Sequence, residues 1–303
     1  MSAAAEPLVR VERISRTFRN GTGIHDITFD VQDRTVTAVI GPNGAGKTVL
    51  FSVIAGLQPA DSGRIESPPG ARIAYCPDVP QFESWLTARE VVETSLAVAA
   101  PRSNAMNARE ALEQCGLSKV ADRRVADFSR GMLQRLGIAA ALVLDPEVLI
   151  LDEPNSALDP IGRADVRRLI AEQRQHRCIL LSSHVLSEVE QLADDLVVIA
   201  DGRLVVSGTT NDILAAGRAP AWSVRLGAAS TTSLDELRIA FPSLEIEYPT
   251  EALCTLGFPS FEAAAEDLVP VLNALRAPVL EVTLQDRDLD ASFARIIQNQ
   301  GSR

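Results

Sequence analysis

Residues 41–48 read Gly-Pro-Asn-Gly-Ala-Gly-Lys-Thr, a run whose residue types and spacing suit it to hold phosphate. Gly41 and Gly46 bracket Pro42, Asn43, Gly44 and Ala45, and Lys47 and Thr48 follow directly, which is the P-loop pattern. Glycine has no Cβ, so successive backbone N–H groups can turn inward and close on phosphate oxygens. Lys47 then supplies a mobile point charge for the β- and γ-phosphates, Thr48 a hydroxyl for Mg²⁺, and Val49 continues into a helix. A second chemical cluster ends the apolar run Val148-Leu-Ile-Leu, where Asp152 and Glu153 stand side by side before Pro154. Sheets of alternating α/β proteins present ligands at such strand ends. Asp152 suits holding Mg²⁺ through its water shell, and Glu153 suits polarising an attacking water. The bland reading of the two acids, a solvated loop or a helix cap, is set aside because a P-loop lies upstream. The P-loop alone does not separate a kinase from a GTPase or a transporter ATPase.

The elements that must position these groups are legible on either side. TVTAVI (35–40) is a buried-strand run and VLFSVIAGL (49–57) has apolar residues at helical spacing, so the loop sits between strand and helix. Upstream, LVRVERIS (8–15) and IHDITFDV (24–31) alternate across an NGTG turn and predict antiparallel strands. ARIAYCP (71–77) is a short strand. The stretch from 79 to 144 is mostly helical in pattern, with a capping box at Thr87-Ala-Arg-Glu90. EVLILDEP (147–154) and CILLSSH (178–184) read as buried strands, Asp159-Pro160 as a helix cap followed by Pro at the first helical position, and residues 196–208 as a hairpin around Asp-Gly-Arg. Apolar strands alternating with helices predict an α/β fold with a largely parallel sheet and an antiparallel β part from the N-terminal strands. Near residue 217 the pattern becomes β-α-β-β-α-β with a last helix beyond it, a small split-βαβ α+β domain.

Composition excludes several classes. A formal net charge of −11 with no block of Lys and Arg argues against a nucleic-acid surface. Cys76, Cys115, Cys178 and Cys254 are scattered without a C-x-x-C, and with three scattered histidines a zinc site is not expected. The start lacks a basic segment followed by an apolar one, so no secretory signal is expected there, and no run of about 20 apolar residues is available to span a bilayer.

A third motif decides the class. Phe128-Ser129-Arg130-Gly131-Met132 heads a helix just before the Asp152 strand, where Ser129 can cap and Gly131 leaves amides open to an anion. GPNGAGKT, FSRGM, VLILDEP, Ser156-Ala-Leu-Asp159 and Ser183-His184 together resemble the ATP-binding-cassette (ABC) ATPases in order and spacing, over about residues 8–217. The resemblance implies a cassette over 1–217 with an inserted helical subdomain at about 79–135, and an accessory domain over 218–303. It implies ATP and Mg²⁺ as ligands, head-to-tail pairing with a second copy or a paralogous cassette, and integral-membrane permease subunits as partners at the cytoplasmic face of the membrane. By the same resemblance Ser129 and Gly131 would bind γ-phosphate in trans, Asp159 would couple the two sites, His184 would contact γ-phosphate, and Phe18 would stack on adenine or belong to the core.

Three departures from the family pattern are visible: Arg130 and Met132 in the signature, Asn155 where Thr or Ser is usual, and Asp78 in place of the Q-loop glutamine, one methylene shorter than the Glu of exporter-type cassettes. The signature is similar to drug- and polymer-exporting systems, and VLEVTLQDRDLDASF (279–293) resembles the ending of their accessory domains. An exporter ATPase is therefore expected. The alternatives are an importer ATPase and a soluble cassette acting on ribosomes, nucleic acid or a regulator. Phe82, Trp85 and Leu86 follow Asp78 and read either as partner-facing or as core.

Overall fold

The structure, a computed structural model, describes residues 6–98, 106–156, 158–217, 220–230, 232–250 and 252–285. In chain order the first elements are β1 (Val9–Thr17), β2 (Gly23–Val31), β3 (Val36–Ile40), α1 (Lys47–Ile54), β4 (Ser62–Glu66) and β5 (Ile73–Cys76). Then come α2 (Ala88–Val98), α3 (Ala108–Gln114), α4 (Arg130–Leu142), β6 (Val148–Leu151), α5 (Pro160–Gln173), β7 (Cys178–Ser183), α6 (Leu186–Leu192), β8 (Asp195–Ala200), β9 (Arg203–Thr209) and α7 (Thr210–Gly217). The chain divides into two compact units, Met1–Ile213 and Leu214–Arg303, with the division inside α7.

In the first unit six strands form a sheet in the order β5-β6-β7-β3-β8-β9. The five from β5 to β8 run parallel, and β9 closes the edge antiparallel as a hairpin with β8. The buried runs of β3, β6 and β7 have no polar face to show solvent, as expected of parallel strands covered on both sides. A separate antiparallel sheet, β2-β1-β4, packs Val9, Val11, Ile27 and Phe29 into the core that also holds Leu50 and Phe51 of α1. Strand β4 was not expected from the sequence. Its residues, Ser-Gly-Arg-Ile-Glu, carry one apolar side chain, and pairing with β1 rather than periodicity makes the segment a strand.

Expected caps are present. Thr87 and Glu90 close the reciprocal capping box ahead of α2, Ser129 accepts from the Met132 amide at the start of α4, and Asp159 accepts from Gly162 with Pro160 at the first helical position of α5. An unforeseen box, Asn107 with Glu110, starts α3. Trp85 is 65% exposed, whereas Phe82 and Leu86 are half-buried.

The second unit contains β10 (Ala221–Leu226), α8 (Leu234–Ala240), β11 (Glu245–Thr250), β12 (Leu253–Gly257), α9 (Phe261–Ala274) and β13 (Val279–Gln285). The order β11-β12-β10-β13, all antiparallel, matches the split-βαβ pattern read from the sequence. Val224, Leu226, Leu237, Leu256, Phe258 and Val271 are among its core residues. The last expected helix, and residues 286–293 of the exporter-like ending, lie outside the described residues.

Candidate functional site

Three strands bring the chemistry together. The loop 41–48 leaves β3, Asp152 and Glu153 leave β6, and His184 leaves β7, and in the sheet β7 lies directly between β6 and β3. Because these strands are parallel, all three exits fall at the same, carboxyl-terminal edge.

The loop is closely packed at its two ends. A Cβ at Gly41 would lie 2.2 Å from the Ile199 carbonyl oxygen, so only glycine lets β3 pass there into the turn. Gly46 precedes α1 with φ of 102°, a left-handed conformation, and a Cβ on it would come within 2.6 Å of Ile24 Cγ2. Ala45 is buried, with its amide donating to Pro42 O, while Pro42, Asn43 and Gly44 are exposed. Val49 is half-buried in α1. Lys47 is buried and folds its ammonium back into the loop, donating to Gly41 O at 2.8 Å and Pro42 O at 3.4 Å, 3.7 Å from Glu153 Oε1.

The acids sit opposite this ammonium. Asp152 is 1% exposed and its carboxylate accepts three hydrogen bonds, from Thr48 Oγ1 at 2.7 Å and Tyr75 OH at 3.2 Å on Oδ2, and from Ser182 Oγ at 2.6 Å on Oδ1. Burial first, and then the Asp152 charge, push the Tyr75 phenol well above its ordinary pKa, so it remains a donor. Glu153 has φ of 46°, a strained setting for a side-chain-bearing residue, and its N–H donates to Ser182 Oγ at 2.7 Å. Its Oε2 lies 2.7 Å from His184 Nδ1. A carboxylate can only accept, so Nδ1 carries the shared proton and Nε2 of the exposed imidazole is free to face a ligand.

Lys47, Thr48, Asp152, Glu153 and His184 thus form one connected set. Among the described residues, Phe18, Asp78, Ser129, Gly131 and Asp159 lie outside its hydrogen bonds. Phe18, 37% exposed beyond β1, has the Arg16 guanidinium 5.5 Å from its ring centroid, so it is not core. Asp78 accepts a short hydrogen bond from Ser156. Ser129 caps α4, Asp159 caps α5, and a Cβ on Gly131 would lie 2.9 Å from Leu158 Cδ2. Sequence reading missed Tyr75 and Ser182 as parts of the site. The signal for Ser182 was present, a hydroxyl ending an apolar buried strand. Asn155, a departure from the family pattern, donates to the buried carboxylate of Glu188 at 3.0 Å.

The donor set fits the expected ligands. A hydroxyl and a carboxylate side by side are oxygen ligands of the kind Mg²⁺ takes, with water and substrate phosphates completing its shell. A glycine-rich loop, exposed at Pro42, Asn43 and Gly44, with a buried ammonium beneath it fits polyphosphate.

A sequence model of the ABC transporter family matches residues 24–156. The bacitracin transport ATP-binding protein BcrA of Bacillus licheniformis is 36% identical over 211 residues, covering 65% of this chain and 68% of that protein. The zinc import ATP-binding protein ZnuC of Cereibacter sphaeroides is 38% identical over 189 residues, covering 61% of this chain and 76% of that one. The chain belongs to the ABC transporter ATP-binding proteins. A solved ATP-binding subunit of an ABC transporter superposes with a TM-score of 0.61 at 30% identity, covering 68% of this chain and 91% of that structure. As an ABC ATP-binding protein the chain has the P-loop cassette fold, binds ATP with Mg²⁺, hydrolyses ATP, and works as the ATPase subunit beside membrane permease subunits. No helix among its described residues is long and apolar enough to cross a membrane.

Proposed function

We propose that this ABC ATPase drives an exporter from the cytoplasmic face of the membrane, as a pair of cassettes formed with a second copy or a paralogue. The observation that carries the reading of the site is the connected set Lys47–Glu153–His184 with Thr48–Asp152 beside it. In this reading residues 41–49 wrap the triphosphate, and Lys47 exchanges its loop carbonyls for phosphate oxygens. Thr48 and Asp152 hold Mg²⁺, which neutralises phosphate charge when bound. Glu153, anchored by His184 and by its own peptide, takes the proton of the attacking water. His184, which needs a second proton on Nε2 for this role, donates to the γ-phosphate, Phe18 stacks on adenine with Arg16 behind it, and Ser129 and Gly131 close on the γ-phosphate of the paired cassette. Asp159 lies in the segment that couples the two sites. Asp78, tied to Ser156, serves in place of the Q-loop glutamine.

Residues 1–217 form the cassette in this proposal, with 79–135 receiving the permease through the Trp85 side, and 218–303 the accessory domain. Export is supported by the Ser-Arg-Gly-Met signature and by likeness to a bacitracin transport protein. Import is the second reading, favoured by the likeness to a zinc import protein. Against it stands the α+β character of the second unit, where many importer ATPases carry a β-barrel.

The test is capture of the tagged protein from detergent-solubilised native membranes, with partners identified by mass spectrometry. A stoichiometric polytopic partner without an associated external solute-binding protein supports the exporter. A complex that includes a solute-binding protein favours import, and recovery only with ribosomes or nucleic acid overturns the transporter.

A further inference from the structure

Two adjacent serines end β7, and they do different work. Ser183 turns back on its own chain, accepting from the Val185 amide at 3.0 Å and donating to the Val185 carbonyl at 3.4 Å. Ser182, fully buried, reaches across to the neighbouring strand. A hydroxyl has one proton and two lone pairs. The Glu153 amide can only donate, so it takes a lone pair of Ser182 at 2.7 Å, and the Ser182 proton goes to Asp152 Oδ1 at 2.6 Å. Asp152 Oδ2 is already served by Thr48 and Tyr75, and among the described residues Ser182 is the side-chain donor on the other oxygen.

We propose that Ser182 is a positioning residue for hydrolysis, one hydroxyl that fixes both the carboxylate of Asp152 and the strained peptide carrying Glu153. Tyr75 completes the clamp on Asp152 from the opposite edge of β6. Without the Ser182 hydroxyl, Oδ1 of a nearly fully buried carboxylate and the Glu153 N–H both lose a partner, and water has little access to replace it. The left-handed turn at Glu153 then loses the bond that holds its amide, and the carboxylate shifts against His184 and Lys47. The clamp therefore acts on two separable quantities, the affinity for Mg²⁺ through Asp152 and the hydrolytic rate at saturating Mg²⁺ through Glu153. The inference rests on the proposed roles of Asp152 and Glu153.

The experiment uses the full-length protein with a fluorescent ATP analogue, titrated with Mg²⁺ and in EDTA, alongside ATP hydrolysis at saturating Mg²⁺. Partners of metal-ligating groups typically change metal affinity about 10- to 100-fold. Ser182→Ala should raise the Mg²⁺ concentration for half-maximal nucleotide binding roughly tenfold or more, with analogue binding in EDTA at the parent level. Hydrolysis should stay low even when Mg²⁺ saturates. Tyr75→Phe, which keeps the ring and removes one bond to Asp152, should raise the Mg²⁺ requirement about threefold or more. Its hydrolysis at saturating Mg²⁺ should fall less than that of Ser182→Ala, because Glu153 keeps its tether. Parent-like Mg²⁺ dependence in Ser182→Ala overturns the inference. Should that variant not fold, a parent-like Mg²⁺ dependence in Tyr75→Phe overturns it instead. Absence of any Mg²⁺ effect in the parent, or an unchanged Asp152→Asn, overturns the reading of Asp152 itself.

Discussion

Glu153→Gln separates nucleotide binding from turnover, and the structure sets the sign of both effects. The substitution keeps the side chain's size, so the cluster can stay assembled, with the amide carbonyl toward Lys47 and the NH₂ donating to His184 Nδ1, whose proton then moves to Nε2. What changes is one negative charge 3.7 Å from the Lys47 ammonium, both groups being largely buried. At an effective dielectric near 20, a unit pair at this separation is worth about 4 kcal/mol before desolvation and rearrangement are subtracted. Lys47 is thus partly neutralised in the parent, and removing the Glu153 charge leaves it a stronger phosphate ligand while also removing an anion from beside an anion. ATP binding should therefore tighten; if a third of the Coulomb figure survives, the gain is about tenfold. Turnover should fall by about 10²- to 10⁴-fold, the usual worth of a general base, or about 3–5 kcal/mol of barrier. The assays are equilibrium binding of a fluorescent ATP analogue and phosphate release under saturating MgATP, with size-exclusion chromatography to detect ATP-trapped pairs. Hydrolysis within tenfold of the parent would remove Glu153 from the base role. Weaker binding would refute the electrostatic argument even if turnover were lost.

Gly46→Ala should lower Tm by about 5 °C or more, because a left-handed alanine costs about 1–2 kcal/mol and crowding Ile24 about 1–3 more; an unchanged melting curve would mean the turn relaxes freely. Ser129→Ala should cost about 1 kcal/mol by loss of the α4 cap. It should also abolish ATP-dependent pairing while leaving binding to the single cassette intact, so pairing at the parent level would contradict the role in trans. All four cysteines are buried, and burial pushes Cys115 and Cys178 up to about 12 and Cys254 to about 11, from an ordinary value of 9.0. Their thiols stay protonated in the fold after they would ionise in the unfolded chain. The unfolded state therefore binds fewer protons, and these groups make stability fall as pH rises from about 9 toward 12. Chemical denaturation across that range should show it, and at pH 8 alkylation should be slow until the protein unfolds.

Much of this molecule could be read from the chain because its signals are local. The turn at 41–48 needs glycine where φ is left-handed or backbone passes close, so composition alone marks it. The buried parallel strands are apolar throughout, and the caps at Thr87, Ser129 and Asp159 involve residues three apart, so each was visible as a short pattern. The second unit's alternation of strands and helices likewise specified its order of elements before any contact was known.

Tertiary structure alone decided the rest. Strand β4 exists because β1 offers it hydrogen bonds, not because Ser-Gly-Arg-Ile-Glu alternates. Phe18 was open between core and surface until its exposure and its contact with Arg16 were seen. The partners of Asp152 come from residues 48, 75 and 182, which no spacing rule connects. They meet because the parallel order β5-β6-β7-β3 delivers all their strand ends to one edge. A sequence pattern records which residues need burial or a special backbone angle. Which hydroxyl satisfies which carboxylate depends on strand order and register, properties that belong to pairs of distant segments and leave no mark in either one.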